Sequence, residues 1–254
     1  EAATWSSFIH SGQACVRTER IYVMEEIADR FETLLAERVK SLRQGVPGEA
    51  AHDLGAVTFP RQLEVVGRQI ADARAKGARV LTGGSRRDGP GNFFEPTVLA
   101  GVTQEMDVAR EETFGPLVPV LRVKDADEAV GLANDTHLGL NATVFGPERL
   151  AREVARRLES GMVIVNDVLV NYFVVEAPLG GWKASGLGSR HGVEGVRQWT
   201  RTAALTVDRP FFGLVARLIA RRLAFPYDAR VRKLLFRATR LLYRSGGLAK
   251  RLKS

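Results

Sequence analysis

Short runs of branched apolar residues alternate along this chain with longer segments whose apolar side chains recur at helical spacing. Consecutive strands joined by helices pair in parallel, and the helices then cover both faces of the sheet. The alternation therefore predicts an α/β fold, a mostly parallel sheet flanked by helices. The predicted strands are 20–24, 78–82, 94–99, 118–123, 142–145 and 162–166, and the predicted helices are 25–43, 60–76, 125–134 and 147–160.

The only cysteine in the 254 residues, Cys15, follows Gly12-Gln13-Ala14 and precedes a predicted strand. A thiol that attacks a carbonyl must be fixed, accessible and partly ionised, and a nearby glycine allows another backbone to approach closely. A lone cysteine is also often a small buried apolar residue, so the residue type alone leaves both interpretations open. A single cysteine cannot form an internal disulfide, which fits a reducing, cytoplasmic location.

Several stretches, in one order along the chain, resemble the NAD(P)-dependent aldehyde dehydrogenase family. They are Phe8-x-x-x-Gly12-Gln13-x-Cys15 with Arg20 five residues later, Phe94-Glu95-Pro96-Thr97-Val98, Glu111-Glu112-Thr113-Phe114-Gly115-Pro116, Ala133-Asn134 followed by Leu138-Gly139-Leu140, and Pro178-Leu179-Gly180-Gly181-Trp182-Lys183-Ala184-Ser185-Gly186-Leu187-Gly188. The resemblance covers about residues 1–208 and implies the family's catalytic domain, with its nucleotide-binding domain expected before residue 1. Arg20-Ile21-Tyr22-Val23 and Arg190-His191-Gly192 are most similar to bacterial succinate-semialdehyde dehydrogenases.

The resemblance implies a role for several residues. Cys15 would be the nucleophile that carries the thiohemiacetal and thioester, with its own backbone N–H as one oxyanion donor. Glu112 matches the glutamate that binds the nicotinamide ribose of NAD or NADP, Phe114 the aromatic beside the nicotinamide, and Tyr172 and Phe173 the aromatics near the substrate tunnel. The alternative for Glu112 is a charge that is simply solvated, and the alternative for the three aromatic residues is that they are only packed. The general base and second oxyanion donor are expected before residue 1, so this chain alone is expected to be inactive.

The sequence gives little support for a metal site, a membrane-spanning helix or a signal peptide. The four histidines, His10, His52, His137 and His191, show no metal-ligand spacing, so no metal site is predicted. No apolar run reaches the roughly 18 residues of a spanning helix, and the first five residues lack the basic start of a signal peptide. The resemblance implies a small aldehyde as substrate and a homo-oligomeric assembly.

The net charge of +8 is concentrated at one end, because residues 209–254 hold thirteen of the 37 Lys and Arg residues but one of the 29 acids. Residues 210–225 and 230–244 each combine an apolar helical face with a basic stripe. This predicts a basic amphipathic helical tail, 209–254, after a catalytic domain, 1–208.

Two interpretations of the tail stay open. Residues 210–253 would contact an anionic membrane surface, peripherally at the inner face, or they would pack on the body or on a partner subunit. Nucleic acid is not predicted, since the basic residues lack interleaved stacking aromatics. A non-enzymatic scaffold that docks through this tail is the alternative to an enzyme.

Overall fold

The computed structural model describes residues 1–46, 52–207 and 229–243, together with residues 213, 217, 218, 220 and 221. The chain separates into two units, Glu1–Arg201 and Thr202–Ser254. The sequence places this boundary at residue 208, and the division into a catalytic domain and a tail stays a prediction.

The first unit contains the following elements in chain order. They are α1 (Ala2–Phe8), a 3-10 turn (Ile9–Gly12), β1 (Ile21–Met24), α2 (Glu25–Lys40), α3 (Pro60–Ala75), β2 (Arg79–Thr82), β3 (Thr97–Ala100), α4 (Asp107–Arg110), β4 (Leu117–Val123), α5 (Ala126–Asn134), β5 (Leu138–Gly139), β6 (Asn141–Val144), α6 (Glu148–Ala155), β7 (Met162–Val165), a second 3-10 turn (Val170–Tyr172), β8 (Trp182–Lys183) and α7 (Gly192–Arg197). In the second unit the described residues include helix α8 (Ala229–Tyr243).

Four strands form the main sheet, in the order β1-β4-β3-β2. Strands β1 and β3 both run parallel to β4, whereas β2 pairs antiparallel with β3, to which it is joined without an intervening helix. Strands β6 and β7 form a separate parallel pair, and β5 and β8 an antiparallel one. The predicted α/β fold is confirmed, and its main sheet is mixed because a loop, rather than a helical crossover, joins β2 to its neighbour β3.

The helix ends follow local hydrogen bonding. Asp125 caps α5, because its Oδ1 accepts from the Glu128 amide at 2.8 Å, and Glu128 Oε2 accepts from the Lys124 amide at 2.8 Å. Helix α2 was predicted to reach residue 43 but ends at Lys40, where the Ser41 amide and hydroxyl both bond the Arg38 carbonyl and tighten the last turn. Helices α1, α4 and α7 were not predicted, since four to seven residues show too little periodicity.

The core lies on both faces of β3 and β4. Leu99 and Leu121 pack on one side with residues of α3 and α4, whereas Val98 and Val120 pack on the other side with α2 and with Phe8 at the end of α1. This two-sided burial explains why β3 and β4 are apolar runs rather than alternating strands. It also fixes the end of α1, from which the cysteine segment begins.

The predicted tail falls only in part on described residues. Helix α8 covers most of its second segment, and the side chains of Leu234 and Phe236 are exposed. Most of 210–228 and all of 244–254 lie outside the described residues. Among the helices that are described, none has the length and apolar character needed to cross a membrane.

Candidate active site

The cysteine segment continues directly from helix α1. Phe8, the last residue of α1, is 1% exposed and anchors the segment in the core. The three residues His10–Gly12 then all have left-handed backbone, with φ of 54°, 56° and 75°, so the chain changes direction sharply. Cys15 follows in a turn that is closed by a hydrogen bond from the Arg17 amide to the Ala14 carbonyl at 3.1 Å.

The thiol and its neighbour have opposite environments. Cys15 is free and exposed, whereas Val16 is buried in a cluster with Met162, Leu169 and Leu179. Because the adjacent residue is packed, the thiol is accessible while its backbone is held. This is the combination that a nucleophile requires and that a buried structural cysteine lacks.

Gly12 and Gln13 hold this turn against other segments. A Cβ atom on Gly12 would overlap the carbonyl oxygen of Gly115, so only glycine permits this approach. The Gln13 side chain accepts from the Thr58 amide at 2.8 Å and donates to the His10 carbonyl at 3.0 Å. Gly12 therefore places the cysteine turn against Gly115, in the segment that contains Glu112 and Phe114, whereas Gln13 holds the turn against Thr58.

A buried arginine, Arg17, reinforces this placement. Its Nε donates to Glu19 Oε1 at 2.6 Å, its Nη2 donates to the other carboxylate oxygen, and its side chain is 0% exposed. Its Nη1 donates to the carbonyls of Ser7 and Leu117, both at 3.1 Å. The Arg17 guanidinium therefore connects α1, the cysteine turn and the start of β4.

The Glu19 carboxylate extends the connection to residues 111–116. Its Oε2 accepts from the Thr113 amide at 3.0 Å and its Oε1 from the Phe114 amide at 3.2 Å. Phe114 is half-buried and has φ of 47°, a left-handed conformation that costs a bulky residue about 1–3 kcal/mol. Sequence reasoning did not anticipate the Arg17–Glu19 pair; its signal was two opposite charges next to the cysteine.

The two glutamates before Thr113 differ in their partners. Glu111 forms an ion pair with Arg68, with 2.6 Å between Oε2 and Nη2. Glu112 has an exposed side chain and, within the described part of the chain, no hydrogen bond or ion pair. Desolvation raises the pKa of Glu112, as does the negative charge of Glu19, whereas Arg17 lowers it. Of the two, Glu112 is the carboxylate that remains available to a ligand.

Asn141 links the cysteine turn to the aromatic residues predicted for the substrate side. Its Nδ2 donates to the Val16 carbonyl at 3.0 Å, and its Oδ1 accepts from Asn171 Nδ2 at 2.9 Å. Tyr172 and Phe173 come next, with ring centroids 5.7 Å apart in an edge-on arrangement. Both rings are exposed, 47% and 74%, so neither belongs to the core.

The glycine-rich loop 178–188 is built around a structural lysine. Lys183 Nζ donates to the carbonyls of Asn134 and Thr136, at 2.7 and 3.1 Å, and pairs with Glu159 at 2.7 Å. Lys183 therefore holds the end of α5 and the residues that lead into β5. Among the described residues, no group of three or more His, Cys, Asp or Glu is arranged to hold a metal ion.

The sequence is similar to enzymes that oxidise aldehydes. The profile of the aldehyde dehydrogenase family matches residues 1–205. A protein of Mycolicibacterium smegmatis named "putative succinate-semialdehyde dehydrogenase [NADP(+)]" is 41% identical over 212 residues, which are 82% of this chain and 41% of the relative. The mitochondrial succinate-semialdehyde dehydrogenase of Mus musculus is 44% identical over 195 residues, 74% of this chain and 37% of the relative. The chain spans about two fifths of the length of these relatives.

Solved structures agree with this similarity. The succinate-semialdehyde dehydrogenase of Burkholderia pseudomallei matches with a TM-score of 0.74 and 42% identity, covering 78% of this chain and 41% of that chain. The betaine aldehyde dehydrogenase of Staphylococcus aureus, solved in complex with NAD+, matches with a TM-score of 0.74 and 36% identity, covering 78% and 40%. Both identities are high enough to indicate relationship as well as a shared fold.

Proposed function

Because the chain belongs to the aldehyde dehydrogenase family, we propose that it supplies the catalytic portion of an enzyme that oxidises an aldehyde to a carboxylic acid with NAD or NADP. The observation that carries the proposal is the exposed Cys15 in a turn that is linked to two other segments. Glu19 links it to residues 111–116, which contain Glu112, and Asn141 links it to Asn171, which precedes Tyr172. The matched family favours this enzyme over a non-enzymatic scaffold.

In the proposed reaction, Cys15 acts as the nucleophile. Its thiolate adds to the carbonyl carbon of the aldehyde, and the oxygen of the resulting thiohemiacetal is stabilised by the backbone N–H of Cys15. When bound, the nicotinamide supplies the acceptor for the hydride whose loss turns the thiohemiacetal into a thioester. Cys15 Sγ then holds the acyl group until water cleaves the thioester, which releases the carboxylic acid and regenerates the thiol.

The residues present fit a nicotinamide dinucleotide. A ribose diol donates hydrogen bonds, and the Glu112 carboxylate is an acceptor without a partner in the described residues. Phe114 lies two residues further along, with a left-handed backbone and an amide held by Glu19. We assign the ribose to Glu112 and the face of the nicotinamide to Phe114.

For the substrate, we propose succinate semialdehyde, with Tyr172 and Phe173 on the aldehyde side of the site. Support comes from the names of the M. smegmatis, mouse and B. pseudomallei relatives. Both side chains are exposed, and the preceding residue, Asn171, is hydrogen-bonded to Asn141, which bonds the cysteine turn; this placement supports contact with a small molecule. We further propose a homo-oligomer located in the cytoplasm.

The chain provides a matched pair of variants that test the cofactor assignment. In the full-length enzyme that carries this chain, Glu112→Gln is expected to raise the dinucleotide Kd by about ten- to a hundredfold, the range for losing a hydrogen bond to a charged group. Glu111→Gln should leave the Kd unchanged, because that carboxylate is already paired with Arg68. Isothermal titration calorimetry measures both values; a larger effect at Glu111 than at Glu112 would reverse the assignment.

A peripheral membrane contact through residues 210–253 stays a prediction. Its support within the described residues is α8, where Leu234 and Phe236 are exposed beside Lys233 and Arg237. The intact chain should float with anionic liposomes at low salt and a chain ending at Asp208 should not, because each basic residue near such a surface contributes about 1 kcal/mol. If neither chain floats, or if both float equally, the tail is not a membrane anchor.

A further inference from the structure

The two parts of the proposed site come from distant segments of the chain. Glu19, four residues after Cys15, and Thr113, next to Glu112, are 94 residues apart in sequence. The Arg17–Glu19 pair joins them, because Glu19 accepts from the consecutive amides of Thr113 and Phe114, while Arg17 donates to the carbonyls of Ser7 in α1 and Leu117 in β4. The pair therefore determines how the thiol and the Glu112 carboxylate are placed relative to each other.

Stability alone does not account for this pair. Removing a guanidinium from water costs free energy, and the attraction of its carboxylate partner offsets only part of that cost. Apolar residues of similar volume often give a protein the same stability or more. Here the guanidinium is fully buried, and the carboxylate uses both oxygens on backbone amides that lie outside regular secondary structure. Such bonds fix the peptide planes that follow Glu112 and hold Phe114 in its left-handed conformation.

We propose that Arg17 and Glu19 are positioning residues that hold Glu112 and Phe114 beside the Cys15 turn, so that the dinucleotide binds next to the thiol. The proposal rests on the proposed function. Neither side chain is assigned a contact with the dinucleotide or the aldehyde. The pair acts through the backbone amides of Thr113 and Phe114 and through the electrostatic effect of its two charges on the Glu112 carboxylate.

The effect on charge gives the pair a distinctive pH signature. Desolvation and the negative charge of Glu19 raise the pKa of Glu112, and Arg17 lowers it. The ionised Glu112 carboxylate accepts hydrogen bonds from ribose hydroxyls more strongly than the protonated acid does, so the dinucleotide affinity falls as the pH drops through this pKa. Removing the charge of Glu19 lowers the pKa of Glu112, so the loss of affinity should move to lower pH.

The test is Glu19→Gln in the full-length enzyme, with the dinucleotide Kd measured by calorimetry at a series of pH values. Near neutral pH the Kd should rise about tenfold, since at least one amide of the Glu112 segment loses its charged acceptor. The acid midpoint of binding should shift to lower pH. Asp53→Asn, in the exposed Arg43–Asp53 pair with 3.1 Å between Nε and Oδ2, is the control and should change neither quantity.

Glu19→Gln leaves a buried guanidinium without its counter-charge, which can destabilise the fold. A second variant therefore separates loss of positioning from loss of folding. The double variant Arg17→Met, Glu19→Gln removes both charges and should unfold close to the temperature of the unsubstituted enzyme. It should still bind the dinucleotide about tenfold more weakly, with the midpoint again lowered because the effect of Glu19 exceeds that of Arg17.

Three results would overturn the proposal. Unchanged Kd and midpoint in a folded single or double variant would show that the pair does not position the site. A weaker Kd with an unmoved midpoint would assign the pair a purely structural role. Absence of dinucleotide binding by the unsubstituted enzyme would overturn the proposed function and this proposal with it.

Discussion

Replacement of Cys15 by serine in the full-length enzyme is expected to lower the rate of NAD(P)H formation at least about a thousandfold. A serine alkoxide forms far less readily than a thiolate near neutral pH, so the covalent step should fail rather than slow modestly. Single-turnover hydride transfer, monitored by absorbance or fluorescence of the reduced dinucleotide, measures this step directly. A variant with a near-normal rate would mean that the nucleophile lies elsewhere.

The same variant should leave folding and cofactor binding intact. Cys15 is exposed, and the turn around it depends on backbone bonds and on the burial of Val16. The unfolding temperature and the dinucleotide Kd of Cys15→Ser are therefore expected to match those of the unsubstituted enzyme. A large fall in either would attribute the lost activity to disruption of the site instead of to missing chemistry.

A second large effect is expected at Gly12, where alanine should destabilise the protein and also impair its activity. A Cβ atom there would overlap the Gly115 carbonyl, and the positive φ of 75° already disfavours any residue with a Cβ. We expect a loss of about 3 kcal/mol, the cost of a severe overpacking, and a fall in unfolding temperature of roughly 6–12 °C. Displacement of the turn should lower kcat about a hundredfold.

Gly67 provides the matched control for this substitution. It lies within α3, and a Cβ built on it would meet no heavy atom within 4 Å. Gly67→Ala should therefore raise the free energy of unfolding by about 0.5–1 kcal/mol through better helix propensity. Thermal unfolding of both variants checks the pair of predictions, and equal effects at the two positions would contradict the close approach at Gly12.

Elements with strong local signals were predictable from the sequence. The helices predicted at 60–76 and 125–134 are found as α3 and α5. Pro60 begins α3 and Asp125 caps α5, and such signals act within a few residues. The apolar strands β3 and β4 were recognisable because both their faces are buried. Such features depend on neighbours in sequence, which a single chain displays directly.

The candidate site was predictable in its residue types but not in its connections. Cys15, Glu112 and Phe114 were singled out through a resemblance of motifs. The bonds that join their segments, from Glu19 to Thr113 and from Asn141 to Val16, cross 94 and 125 residues. Local sequence carries no signal for partners at that distance.

The central claim, that Cys15 forms the covalent acyl intermediate, has one direct test. The full-length enzyme is mixed with the oxidised dinucleotide and succinate semialdehyde, quenched with acid during turnover, digested and analysed by mass spectrometry. The account predicts a single succinyl group on the peptide that contains Cys15, in a linkage that neutral hydroxylamine cleaves. Turnover without any acyl group on that peptide, or with the acyl group on another residue, would contradict it.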